Sequence, residues 1–321
     1  MKTPRWRGLA VAAASALALA ACSTSAPRSD GGPLEVMAAI YPLQYMTEQV
    51  GGEHVHVTPL TPPGVDAHEL ELSPNAVAQL TRADLVVYLS GFQAAVDDAV
   101  TQSDPAHVLD AADHANLLTP EEEVAGATAP TGASGDHAHE SGAHAGHDHS
   151  GADPHFWLDP TRLADVGRAL GEELATADPA HAADYRANAD AFATRQGELD
   201  AAFTDGLATC ATRTIVVAHQ AYGYLAERYR LEQVAIAGLD PEGEPSPAHV
   251  AEVSEEIHAH GVNTIFAEPG AGSSVADTIA GDLGLDVAVL DPLDARIDQG
   301  VDYDNTMRAN LAALKGALQC A

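Results

Sequence analysis

Short apolar runs alternate along the chain with longer segments of helical period, and the rhythm is played twice. In the first round the runs are 34–40 (LEVMAAI), 54–59 (HVHVTP), 84–89 (DLVVYL) and 107–110. Helical segments are predicted between them at 44–50, from Ser73-Pro74 to about residue 82, and at 92–101. Ser73 and Pro74 fit an N-cap and first helical position. The second round has strand-like runs at 214–218, 233–237, 264–267 and 286–290, with helices at 222–229, 248–260, 274–283 and 303–318. Between the rounds, 161–176 reads as a helix. From 180 to about 207, Tyr185, Ala189, Phe192, Leu199 and Phe203 recur at helical spacing. A helix of that length spans about 42 Å at the usual rise per residue.

Apolar runs without alternation, separated by helices, predict parallel strands covered on both faces. The fold class is therefore α/β, as two small lobes with mainly parallel sheets joined by one long rigid helix. Residues 34–178 would form the first lobe, 179–209 the linking helix and 210–321 the second lobe. Ligands of such sheets sit at the carboxyl ends of the strands.

The first 33 residues belong to neither lobe. Lys2, Arg5 and Arg7 precede an apolar stretch, residues 8–21, that is short for a membrane span and reads as a signal peptide, residues 1–21. It ends in Leu19-Ala20-Ala21-Cys22, which resembles a bacterial lipobox with Cys22 as the lipidated residue; 22–33 would be a flexible tether. This places the mature chain outside the cytoplasmic membrane. With 15 Lys and Arg against 47 Asp and Glu, the formal charge is 15 − 47 = −32. Such a surface repels nucleic acid and attracts cations diffusely. Two cysteines remain, Cys210 and Cys320. Pairing is the expectation in an exported domain, with two free thiols or a Cys pair in a metal site as the alternatives.

Between the lobes' signals lies DHAHESGAHAGHDHSGADPHFWLDP, residues 136–160. The segment 120–152 has the composition of a low-complexity loop. His137, His139, His144, His147 and His149 stand there among Gly, Ala, Ser and acids, a pattern that points to accessory metal binding. His155 differs in its context, an aromatic-rich DPHFWLDP. The predicted strand ends carry further donors: His68 in the loop after 54–59, His219 after 214–218, and Asp291 after 286–290. Three imidazoles and a carboxylate make an N3O set suited to zinc, whereas manganese prefers carboxylates and water. Their wide spacing is no motif by itself. Glu69, Glu268, Asp153 or water are alternatives for the fourth donor or for supporting acids. His107, His114, His181, His249, His258 and His260 read as solvated.

Four stretches carry a resemblance: AAIYPLQYMTEQVGGEHVHVTPLTPPGVDAHELELSP, ADPHFWLDP, VVAHQAYGYLAERYRLEQVAIAGLDPEGEPSP and IFAEPGAGSSVADTIAGDLGLDVAVLDPL. With them the chain resembles the metal-binding lipoproteins of bacterial zinc ABC importers, the cluster A-I solute-binding proteins. The resemblance implies metal ligands at His68, His155 and His219, with Asp291 in the fourth position, and a metal between two lobes. It further implies Zn²⁺ as the transported ligand, an ABC permease and its ATPase as partners, a monomer, and no enzymatic activity. Alternatives within reach are a manganese or iron importer component and a metal-dependent surface adhesin.

Overall fold

The structure is a computed structural model describing residues 32–118, 152–241, 243–269 and 275–321. The signal peptide, Cys22, most of the tether and the histidines 137–149 lie outside the described residues.

Two sheets of four parallel strands carry the fold. The first contains β1 (Leu34–Ala38), β2 (Val55–Pro59), β3 (Leu85–Tyr88) and β4 (Val108–Asp110), in the order β2-β1-β3-β4. The second contains β5 (Thr214–Val217), β6 (Glu232–Ala235), β7 (Thr264–Ala267) and β8 (Asp286–Val289), in the order β6-β5-β7-β8. Each sheet thus reverses its strand order beside its first strand, the place where such sheets present ligands at their carboxyl ends. The central strand β5 is buried along its whole length, as its apolar run requires. The edge strand β8 departs from the expectation of two covered faces, because Val287 and Val289 are exposed.

Helices pack around the sheets. In the first round these are α1 (Tyr41–Gly51), α2 (Pro74–Leu80) and α3 (Ala94–Ser103). Then come α4 (Pro160–Ala177) and the long α5 (Ala182–Gly206). The second round adds α6 (Gly223–Tyr229), α7 (Pro247–His260), α8 (Val275–Leu283) and α9 (Tyr303–Ala317). Their starts are written locally. Ser73, Asp159, Ser246 and Asp302 each accept a backbone N–H of the first turn they cap, and Pro follows the first three.

Helix α5 has 25 residues and is preceded by a 3-10 turn, Pro179–His181. Its N-terminal and central turns hold the first lobe: Asn188 donates to Val50 O (3.1 Å) and Arg195 to Gln49 (2.7 Å). Its second half holds the other lobe through the Asp200–Arg228 pair (2.8 Å) and the stacking of Phe203 on Tyr229. One continuous apolar cluster runs from Val36 and Leu85 through Trp157, Phe192 and Phe203 to Ile215 and Leu314. The residues from Pro33 to Ala321 accordingly form one compact unit. Cys210 and Cys320 are bonded to each other, closing a loop of 110 residues and tying the C-terminus to the approach to β5.

Five of the six histidines expected in solvent have polar partners, and three of these are half-buried. His107 meets Glu173 (2.8 Å), His181 meets Asp178 (2.6 Å) and also stacks on His54, and His249 meets Ala235 O (3.0 Å). His107 and His249 face groups that their own sequence neighbourhoods do not reveal, whereas Asp178 stands three residues before His181.

Candidate metal centre

Imidazoles from three parts of the chain converge where the strands of both sheets end. His68 lies in the loop between β2 and α2, and its backbone N–H donates to Asp66 Oδ1 (2.7 Å). His155 precedes the 3-10 turn Phe156–Leu158 and is fully buried. His219 follows β5 and is also buried. The ring centroids lie 5.3 Å apart for His68–His155, 5.3 Å for His155–His219 and 5.8 Å for His68–His219.

The carboxylate that completes the cluster is Asp294, not the expected Asp291. One ligand atom from each of His68, His155, His219 and Asp294 lies within 4.8 Å of the others. Asp294 Oδ1 is 3.6 Å from His155 Nε2, and its Oδ2 is 3.7 Å from His68 Nε2. Donors around tetrahedral zinc, at bonds of ~2.0–2.2 Å, sit roughly 3.4 Å apart. Asp291 is held elsewhere. Its Oδ1 accepts from Leu293 N (2.8 Å), its own N–H donates to Asn310 Oδ1 (2.9 Å), and its carbonyl accepts from Asn310 Nδ2 (2.7 Å). The backbone then turns through Leu293 at φ 65°, which carries Asp294 over the rings. The sequence reading named Asp291 alone; Asp294 stands three residues further on in LDPLD.

Two of the imidazoles are oriented by acids named among the alternatives. Asp153 Oδ1 lies 2.7 Å from His155 Nδ1, and Glu268 meets His219 Nδ1. A carboxylate there holds the proton on Nδ1 and turns the Nε2 lone pair inward. Asp153 in turn is fitted against α6, where a side chain on Gly223 would come within 2.6 Å of its Oδ2. Glu69 is exposed and outside the cluster. Phe92, which the sequence reading did not single out, packs edge-on against His68 at 4.8 Å.

The electrostatics agree with a cation site. Burial pushes the His219 pKa down, but the hydrogen bond and charge of Glu268, with Asp294 and Asp153, outweigh it and leave the group raised. Burial pushes Asp294 up, and the three imidazoles more than reverse this, holding it below its ordinary value. Asp291 has no such support, and burial lifts it to about 6. The Nε2 atoms of His68, His155 and His219, and Oδ1 of Asp294, are all buried without a hydrogen-bond partner. Leaving one buried polar atom unpaired costs ~1–3 kcal/mol, so four converging on one point mark a place for a shared ligand. The donor set fits Zn²⁺. A cleft of about 620 Å³ borders the cluster, with Gly64, Val65 and Asp66 from the first lobe facing Glu268, Asp294 and Ile297 from the second.

Two parallel-sheet lobes with a buried three-histidine, one-carboxylate cluster at their strand ends define a metal-binding solute-binding protein. The chain belongs to the family of the periplasmic component A of the zinc-uptake complex, which it matches over residues 36–317. It is 32% identical to the high-affinity zinc uptake system protein ZnuA of Bacillus subtilis over 326 residues, 98% of each chain. It is also 32% identical to the zinc-binding lipoprotein AdcA of Streptococcus pneumoniae over 313 residues. That match covers 96% of this chain and 60% of the longer pneumococcal protein. Among solved structures, the Zn(II)-bound ZnuA-like domain of pneumococcal AdcA superposes with a TM-score of 0.72 at 29% identity, covering 89% of this chain and 99% of that one. The laminin-binding protein Lmb of Streptococcus agalactiae, described as having adhesin and metal-transporting activity, gives 0.74 at 30%, with the same coverage.

Proposed function

We propose that this chain is the extracytoplasmic zinc-capturing component of an ABC importer. Zn²⁺ is its cargo, bound by the Nε2 atoms of His68, His155 and His219 and by the Asp294 carboxylate. The permease and its ATPase are the partners that receive it. The observation that carries the reading is the set of four buried, unpartnered donor atoms aimed at one point. Three imidazoles with a single carboxylate favour zinc over manganese, which selects oxygen donors. In the working cycle the neutral imidazoles would take Zn²⁺ through their Nε2 lone pairs, any ring charged beforehand first giving up its Nε2 proton to water, with Asp153 and Glu268 keeping the Nδ1 protons in place. The role is one of capture and release, and it assigns no catalytic step to any residue.

Lipidation at Cys22 would hold the protein on the outer face of the membrane as a monomer, with residues 22–33 as tether. The lobes 34–178 and 210–321, joined by 179–209, would clasp the ion between them. Metal stoichiometry of the full chain tests the reading, with alanine placed in turn at His68, His155, His219 and Asp294. Each substitution is expected to abolish tight binding of one Zn²⁺; a tight site that survives all four overturns the assignment. The histidines 137–149 would add weak sites of their own. Deleting residues 136–150 is expected to remove those and leave the single tight site.

A further inference from the structure

Residues 291–300 carry the carboxylate that completes the cluster, and both lobes grip them. Before Asp294, the Asn310 side chain holds Asp291, and Trp157 Nε1 donates to Pro292 O (2.8 Å). After Asp294 the segment reaches the first lobe through Arg296. Its guanidinium carbon lies 5.6 Å from the ring centroid of Tyr41, the residue that opens α1 at the carboxyl end of β1.

Arg296 is the sole Lys or Arg between Arg230 and Arg308. Acids stand around it at 291, 294, 298, 302 and 304. Yet among the described residues its guanidinium makes no salt bridge. One N–H donates to Gln299 O (2.7 Å), closing the turn that follows, and Nε is buried without a partner. Those carboxylates have other partners, and a cation that pairs with none of them and lies over an aromatic face of the other lobe is placed there by the packing. Such contacts, partly desolvated, are among the stronger cation–π arrangements.

We propose that Arg296 is a positioning residue for Asp294: its stack on Tyr41 holds the segment closed over the three imidazoles and slows release of the cation. The inference rests on the reading of the cluster as the Zn²⁺ site. Between Leu293 and α9 the segment has no helix or strand of its own to fix it. A second anchor beyond Asp294 therefore removes freedom that would otherwise be lost each time the ion binds.

Stopped-flow transfer of Zn²⁺ from the loaded full chain to a chromogenic chelator measures the latch. Arg296→Ala and Tyr41→Leu should each speed release by roughly two- to thirtyfold, the range of a cation–π contact. The double variant should be no faster than the faster single one, because both remove the same interaction. Arg296→Lys should recover part of the slow release, since an ammonium keeps the attraction to the ring but not the planar stacking. Arg195→Ala removes a guanidinium over Phe192, 5.7 Å from that ring and on the linking helix, and should leave release unchanged. With Co²⁺ as probe, the d–d bands of Arg296→Ala should weaken as the carboxylate loosens, a signature that general destabilisation does not produce. Unchanged release and spectra in Arg296→Ala, or full additivity in the double variant, overturn the latch. A wild-type chain without a tight Zn²⁺ site overturns the proposed function, and the latch with it.

Discussion

The indole N–H of Trp157 donates to the carbonyl of Pro292 at 2.8 Å, and each residue stands two positions from a donor of the cluster, His155 and Asp294. The bond joins the ligand-bearing segments of the two lobes inside the core, where Trp157 is fully buried. Trp157→Phe keeps the apolar bulk but leaves Pro292 O buried and unpaired, at a cost of ~1–3 kcal/mol. Because the bond aligns two donors, part of that cost should fall on the ion. Thermal unfolding with and without Zn²⁺ checks this: the variant should lose stability in both states and show a smaller gain on zinc addition than wild type.

Asp291 and Asp294 can be told apart by opposite responses to the same change. Asp294→Asn removes a charged donor and should abolish tight zinc binding. Asp291→Asn should leave one tight site. It should also stabilise the apo protein near neutral pH, because burial lifts the Asp291 carboxyl from its ordinary value to about 6. A group raised in the fold contributes most below its unfolded pKa and loses that contribution as pH rises through the folded value. The ionised form is thus a burden above about pH 6, worth up to about 3 kcal/mol at ~1.4 kcal/mol per pKa unit. Melting temperatures at pH 4.5 and 7.5 provide the measurement, with the advantage of the variant expected to be clearly larger at the higher pH.

How much of this was legible in the chain follows from the range of the forces involved. Strands such as β7 and caps such as Ser73 and Asp159 rest on local chemistry, and the sequence places them closely. Strand ends and family resemblance together single out His68, His155 and His219, and the fold brings their side chains together. The choice of Asp294 over Asp291 depends on Asn310, nineteen residues on, and on the left-handed turn at Leu293; neither has a local signature. Arg296 on Tyr41 and Phe92 against His68 join elements whose proximity exists only once both lobes are folded. The exposed Val287 and Val289 read as a buried strand because an edge position is a property of the sheet and not of the run.

Glu268 sets the pH range over which zinc competes with protons. Its bond to His219 Nδ1 is the main influence raising that imidazole against burial. A raised histidine stabilises the apo fold most below ~6.5, its unfolded value, and loses that contribution as pH climbs through the higher folded value. Zinc affinity should therefore begin to fall, on acidification, at a pH above ~6.5. Glu268→Gln should move that onset downwards. It should also weaken binding at pH 8 by about 10- to 100-fold, the usual cost of losing the partner of a ligating histidine. Chelator competition between pH 6 and 8 reads both effects, and an unmoved onset would count against the Glu268–His219 coupling. Gly223→Ala should weaken binding in a related way by crowding Asp153, the partner of His155.

The Cys210–Cys320 bond closes a loop of 110 residues that holds the entire second sheet. It also sets α9 against β5, since Ala211 N–H donates to Leu318 O and Ala321 N–H to Thr209 O beside the bridge. In the chain-entropy account, cross-linking so long a loop restricts the unfolded state by about 4–5 kcal/mol. None of the cluster's donors is a cysteine, so the bond should act on stability and leave the site's chemistry alone. Replacing both cysteines by serine is thus expected to lower the apo unfolding midpoint in urea strongly. Zinc stoichiometry at low denaturant should stay at one tight ion. Adding saturating Zn²⁺ should recover much of the lost midpoint, because an ion bound only by the folded state stabilises it by mass action. Urea titrations of the two proteins, each with and without Zn²⁺, measure all three effects. If the serine variant lost tight zinc binding while still folded, the bond would be part of the site's support and not only a staple on the chain.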